Sequence, residues 1–103
     1  MKHVKIGFIG CGNMGRSLIG GLINNAYPPE LLFGADPDPA QRQQLASLFN
    51  ISVTADSNEA IQNAEVVVLA VKPQAICTSI SEIAETLGQQ RPLIVSIAAG
   101  VRL

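Results

Sequence analysis

The chain has 103 residues, seven basic against eight acidic, for a net charge of −1. That length holds one domain around one hydrophobic core, and 48% apolar with 15% charged residues excludes a disordered chain. Even charge and 4% aromatic residues, with no Trp, exclude the basic face and the stacking surface that nucleic acid requires.

The longest apolar run, Val66 to Val71, is too short to span a bilayer. The N-terminal apolar run meets glycines at once, unlike a signal peptide. Cys11 and Cys77 lie 66 positions apart, far from a paired metal-ligand spacing; both read as small buried residues. The expectation is a cytoplasmic domain with no membrane or nucleic-acid partner.

Val4 to Ile9 reads as a first, buried strand. Asn13 to about Asn24 follows as a helix, with Met14, Leu18 and Leu22 at helical spacing. Gly20 and Gly21 inside it suggest close helix packing. Leu31 to Ala35 is a second strand. Asp38 then fits an N-cap, Pro39 the first helical position, and Gln41 the far side of a capping box. This helix is expected to bury Leu45, Leu48 and Phe49 and to end at Asn50. Ile51 to Thr54 is a third strand, and Asp56 to Glu59 a second capping box leading to a short helix with Ala60, Ile61 and Ala64.

Glu65 to Val71 is a fourth strand. Its apolar residues do not alternate, so it is expected to be covered on both faces, as in a parallel sheet. Gln74 to Leu87 is a helix with Ile76, Ile80, Ile83, Ala84 and Leu87 in one stripe and Gly88 in the C′ place. Leu93 to Ile97 is a fifth strand. Strands alternating with helices in this way predict an α/β, Rossmann-type open parallel sheet in the order 3-2-1-4-5, with helices on both faces. The fifth strand is apolar with nothing after it to cover its edge, so the chain is expected to be either a fragment or the obligate partner of something else.

Gly10-Cys11-Gly12-Asn13-Met14-Gly15 is a G-x-G-x-x-G between a strand and a helix, the context in which that pattern points to a dinucleotide. Gly10 permits the tight turn, Gly12 lets the backbone approach a pyrophosphate, and Gly15 lets the helix lie close to the strand. The N–H groups around Asn13 and Met14 then face the anion. Asp36 stands 21 positions after Gly15, where a carboxylate accepts from the 2′-hydroxyl of an NAD ribose. It equally suits an Asx turn before Pro37. Arg42 on the next helix could reach a 2′-phosphate, although a solvated helix face is the simpler reading. His3 is the sole histidine, and no nucleophile–base pair can be assembled from the sequence.

Three blocks resemble the cofactor domain of the pyrroline-5-carboxylate reductase family: Gly7 to Gly15, Ala70-Val71-Lys72-Pro73, and Val95-Ser96-Ile97-Ala98-Ala99-Gly100-Val101. The first block is shared with 3-hydroxyisobutyrate and 6-phosphogluconate dehydrogenases; the other two are the reductase's. The resemblance implies reduction of L-1-pyrroline-5-carboxylate to L-proline with NADP(H) or NAD(H). It implies that Ile9, Gly10, Cys11, Gly12, Asn13 and Met14 line the pyrophosphate and that Asp36 and Ser57 lie by the adenosine ribose. It further implies that Ala70, Val71, Lys72 and Pro73, with Ile97, Ala98 and Ala99, flank the nicotinamide. For Lys72 a solvent-facing side chain is the preferred reading.

Two departures stand out. Asp36 replaces the family's usual Ser, Thr or Asn, and Ser57 followed by Asn58 replaces an Asn. The family continues into a helical C-terminal domain that forms the homo-oligomer and most of the substrate site, so residues 1–103 are expected to be the cofactor domain alone, inactive by itself. The alternatives are the cofactor domain of a β-hydroxyacid dehydrogenase and a non-enzymatic dinucleotide-binding module.

Overall fold

The structure, a computed structural model, describes residues 3–10, 13–71, 74 and 76–96, with the helical backbone alone at Asn13 and Met14. Five strands and four helices alternate: β1 (Ile6–Ile9), α1 (Asn13–Asn24), β2 (Leu32–Ala35), α2 (Pro39–Phe49), β3 (Ser52–Thr54), α3 (Ser57–Ile61), β4 (Val66–Leu69), α4 (Ile76–Gln90) and β5 (Leu93–Ser96). A 3-10 turn, Pro29–Leu31, leads into β2. All the strand pairings are parallel, in the expected order β3-β2-β1-β4-β5.

Period-two alternation sends the strand side chains to two separate cores. Ile6 and Phe8 of β1, Leu32 of β2 and Val68 of β4 meet Ile19 of α1 and Leu45 of α2 on one face. Ile9, Ala35, Val67 and Leu69 meet Ala60 and Ile61 of α3, Ala64, and Ile83 of α4 on the other. The second face mixes large residues, Ile61, Leu69 and Ile83, with the small Ala35, Ala60 and Ala64. At Gly7 an added Cβ would lie 2.7 Å from the Ala60 carbonyl oxygen, so α3 rests on the bare backbone of β1.

Several details differ from the sequence expectation. β1 begins at Ile6, because the backbone of Val4 is held outside the sheet by the Tyr27 hydroxyl, which accepts from its N–H at 2.9 Å and donates to its carbonyl. Leu48 is 64% exposed, whereas Leu45 is buried and Phe49 half-buried. A Cβ on Gly20 would meet the Phe49 ring at 3.4 Å, an ordinary contact, and Gly21 faces open space, so close packing requires neither glycine. Cys77 is exposed rather than buried. In α4 only Ile83 of the expected stripe is fully buried, and Ile80 is exposed.

Gly88 does not end α4, which runs to Gln90. Arg91 takes the left-handed conformation instead (φ 51°), its N–H donating to the Leu87 carbonyl at 2.8 Å, and Pro92 stops the chain from continuing as helix. The Gln90 side chain secures this last turn: Nε2 donates to the Ile61 carbonyl and Oε1 accepts from the Asn63 N–H, both at 2.8 Å. Asn50 ends α2 in the left-handed conformation, as expected.

Candidate dinucleotide site

The C-terminal ends of the strands form one aligned row. Ile9 stands in register with Ala35 on one side and Leu69 on the other, and Ala35 with Thr54. The next residues, Gly10, Asp36 and Ala70, therefore emerge side by side, and each is tied to the neighbouring strand. Gly10 N–H donates to Ala35 at 2.9 Å, Ala70 N–H to Ile9 at 2.8 Å, and Asp36 N–H to Thr54 at 3.1 Å. Strand order reverses at β1, so the loops after β1 and β4 leave in opposite directions and open the crevice in which parallel α/β sheets bind ligands.

Glycine is required at two points of this crevice. Gly10 has φ +81°, and a Cβ there would come within 2.6 Å of Val71 Cγ1 and 2.8 Å of the Ala70 carbonyl oxygen. The turn after β1 is thus pressed against the segment after β4. Gly15 is buried, and a Cβ on it would meet the Gly10 carbonyl oxygen at 3.0 Å and Ala70 Cβ at 3.5 Å, so the first turn of α1 sits directly on the loop. That turn carries no acidic residue, and its N–H groups with the helix dipole favour an anion. These features fit a dinucleotide pyrophosphate.

Of the residues expected at the site, Ile9, Gly10, Gly15, Asp36, Ala70 and Val71 are brought together at the strand ends. Cys11, Gly12, Lys72, Pro73, Ile97, Ala98 and Ala99 lie outside the described residues, and Asn13 and Met14 are described as helix backbone only. Ser57 opens α3 after β3, the strand beyond β2, and is half-buried. Its neighbour Asn58 is turned to α4: Nδ2 donates to the Glu82 carbonyl at 3.1 Å, and Oδ1 accepts from the Thr86 hydroxyl at 2.8 Å.

The turns after β2 and β3 share a device that differs from the expected capping boxes. Asp38 and Asp56 do cap their helices, accepting from Ala40 N–H at 2.9 Å and Asn58 N–H at 3.0 Å. Their own N–H groups are satisfied by the residue two positions earlier, Asp36 Oδ1 at 2.9 Å and Thr54 Oγ1 at 3.1 Å. Gln41 is not needed for this, and its buried Oε1 has no hydrogen-bond partner among the described residues. Asp36 is therefore an Asx-turn residue at the end of β2. Arg42 is not simply a solvated helix residue: Nη1 donates to the Asp36 carbonyl at 2.7 Å in a part-buried bond.

Among the described residues no group of His, Cys, Asp and Glu could hold a metal ion, and no helix is long and apolar enough to cross a membrane. A five-stranded parallel sheet in this order, with a glycine turn and a helix start at its reversal point, defines a Rossmann-type fold with the crevice of a dinucleotide-binding domain. The chain belongs to the family described as NADP oxidoreductase, coenzyme F420-dependent, which matches residues 5–100.

It is 45% identical over 101 residues to a pyrroline-5-carboxylate reductase of Pseudomonas aeruginosa, covering 98% of this chain and 37% of that protein. A pyrroline-5-carboxylate reductase structure from Coxiella burnetii superposes with a TM-score of 0.91 at 34% identity, over 98% of this chain and 37% of that one. A Plasmodium falciparum pyrroline carboxylate reductase solved with NADP bound gives 0.78 at 27% identity, over 100% of this chain and 36% of that one. The chain thus spans 37% of the length of the curated reductase it is compared with here.

Proposed function

We propose that the chain is the cofactor-holding part of a pyrroline-5-carboxylate reductase, binding NADP(H) or NAD(H) across the ends of β1, β2 and β4. The observation that carries the reading is the crevice itself, where Gly10 is pressed onto Ala70 and Val71 and Gly15 onto Gly10. The 34% identity to a solved reductase over 98% of the chain supports it. Ile9, Gly10 and Gly15, with Cys11, Gly12, Asn13 and Met14, would hold the pyrophosphate. Asp36 and Ser57 would lie on the ribose side, and Ala70 to Pro73 with Ile97 to Ala99 on the nicotinamide side.

When bound, the nicotinamide supplies a hydride to the imine carbon of L-1-pyrroline-5-carboxylate, whose protonated nitrogen makes that carbon electrophilic, and L-proline results. The chain's own contribution is placement. Fixing the dinucleotide at the strand ends turns an encounter into an oriented reaction. Ala70 and Val71 give that end of the crevice an apolar wall. In the family the substrate is held by a helical C-terminal part, which would also form the homo-oligomer. The setting is proline biosynthesis in the cytoplasm.

Titration of the chain with NADPH, followed by nicotinamide fluorescence, tests the reading. Gly12→Val is expected to abolish binding while leaving the circular dichroism spectrum intact; unchanged affinity would overturn the assignment of the loop. The 103-residue chain is expected to bind dinucleotide without forming proline. The whole gene product is expected to turn over pyrroline-5-carboxylate, and turnover of 3-hydroxyisobutyrate alone would assign it to the β-hydroxyacid dehydrogenases instead.

A further inference from the structure

The glycine turn after β1 is held from β2, from α1 and from the end of β4, and the contacts differ in kind. From β2, the Ala35 carbonyl accepts from Gly10 N–H at 2.9 Å. From α1, a Cβ on Gly15 would stand 3.0 Å from the Gly10 carbonyl oxygen. From the end of β4, the atoms nearest to a Cβ position on Gly10 are Val71 Cγ1 at 2.6 Å and the Ala70 carbonyl oxygen at 2.8 Å. Of the atoms that bound Gly10 in this way, Val71 Cγ1 is the one that belongs to a side chain. Val71 is half-buried and packs on the second core, which contains Ile9, Ala35 and Ile83. Its backbone is fixed one residue earlier, where Ala70 N–H donates to Ile9 at 2.8 Å. A β-branched side chain has little freedom at χ1, so Val71 transmits the position of that core to the turn.

A pyrophosphate at a glycine turn is bound by backbone N–H groups, and a shift of the turn lengthens or bends several of those bonds at once. A turn left loose must also be ordered on binding, at a cost in conformational entropy. Resting on the dinucleotide reading above, we propose that Val71 is a positioning residue: its branched side chain, seated on the second core, sets the height of the glycine turn and so the affinity for the pyrophosphate. Val71 stands on the nicotinamide side of the crevice, yet it acts on the middle of the ligand through Gly10. The two sides are thus mechanically coupled. What binding senses at residue 71 is the shape of the side chain rather than its apolar character.

Calorimetric titration of the chain with NADP+ and with ADP-ribose tests this, because ADP-ribose carries the pyrophosphate and lacks the nicotinamide. Val71→Ala is expected to weaken both by about fivefold or more, with urea denaturation still showing a cooperative fold. Two further variants separate shape from polarity. Val71→Thr keeps the branch at Cβ and exchanges a methyl for a hydroxyl; it is expected to bind both ligands within about twofold of the unsubstituted chain. Val71→Leu stays apolar but moves the branch to Cγ, and is expected to be as weak as Val71→Ala. An unchanged ADP-ribose affinity in Val71→Ala, with NADP+ alone weakened, would show that Val71 only walls the nicotinamide and would overturn the proposal. So would a Val71→Thr as weak as Val71→Ala, or a Val71→Leu as tight as the unsubstituted chain. If the unsubstituted chain binds neither ligand, the reading of the crevice fails; if it binds both and Val71→Ala leaves both affinities alone, only the inference about Val71 fails.

Discussion

The two faces of the sheet are packed by different means. On the α1 and α2 face the contact is made by bulk: Phe8, Ile19, Leu32 and Leu45 are fully buried and hold the helices off the strands. On the α3 and α4 face, Ile61, Leu69 and Ile83 are also buried, but α3 lies directly on β1, where Gly7 meets the Ala60 carbonyl. The first face is therefore sensitive to lost volume and the second to added volume. The faces also end differently at β5. Leu93 and Val95 are in register with Val66 and Val68 of the first face, yet they are 65% and 38% exposed.

The largest expected effect lies on the bulky face. Phe8→Ala should cost about 3–5 kcal/mol in urea denaturation, and a loss below about 1 kcal/mol would mean that this core collapses around the gap. On the close-packed face, Gly7→Ala adds one methyl 2.7 Å from a backbone carbonyl oxygen. It should cost about 1–3 kcal/mol although it is a gain of apolar volume; a neutral result would show that α3 moves off freely. Asn58→Ala removes two side-chain hydrogen bonds between α3 and α4 and should lower stability by about 1 kcal/mol, each exposed bond being worth little. The smallest change has the opposite sign. Gly88→Ala, inside α4 with nothing within 4 Å of the new Cβ, should raise stability by about 0.5–1 kcal/mol. A drop in the thermal midpoint would contradict the extension of α4 past Gly88.

The five strands were legible because each is a short apolar run bounded by turn residues, and their parallel order follows from alternation with helices. The errors have tertiary causes. Glycine's preference for helix ends pointed to Gly88, but Gln90 reaches the Ile61 carbonyl and the Asn63 N–H, and that anchorage keeps another turn helical. Leu48 shares the spacing of Leu45 and Phe49 but lies at the margin of the stripe, and periodicity does not say where a margin meets water. At the site, the position of Asp36 was legible from its distance to the glycine loop. The use of its Oδ1 and its carbonyl was not. Both depend on how Pro37 and Pro39 steer the chain so that Asp38 and Arg42 return to the same residue.

β1 is paired on both edges, to β2 and to β4, over all four of its residues, whereas β3 and β5 are each paired on one edge only. That difference sets a hierarchy of amide hydrogen exchange. Protons inside Ile6–Ile9 reach solvent only when strands from both halves of the chain separate, so they should exchange at the rate of global unfolding. Those of β5, bordered by exposed Leu93 and Ile94, can be released by local opening. The strand that ends at the glycine turn is thus expected to be, with β4, among the slowest-exchanging parts of the sheet, and the platform for a ligand at its tip would persist through fluctuations that free the sheet's edge.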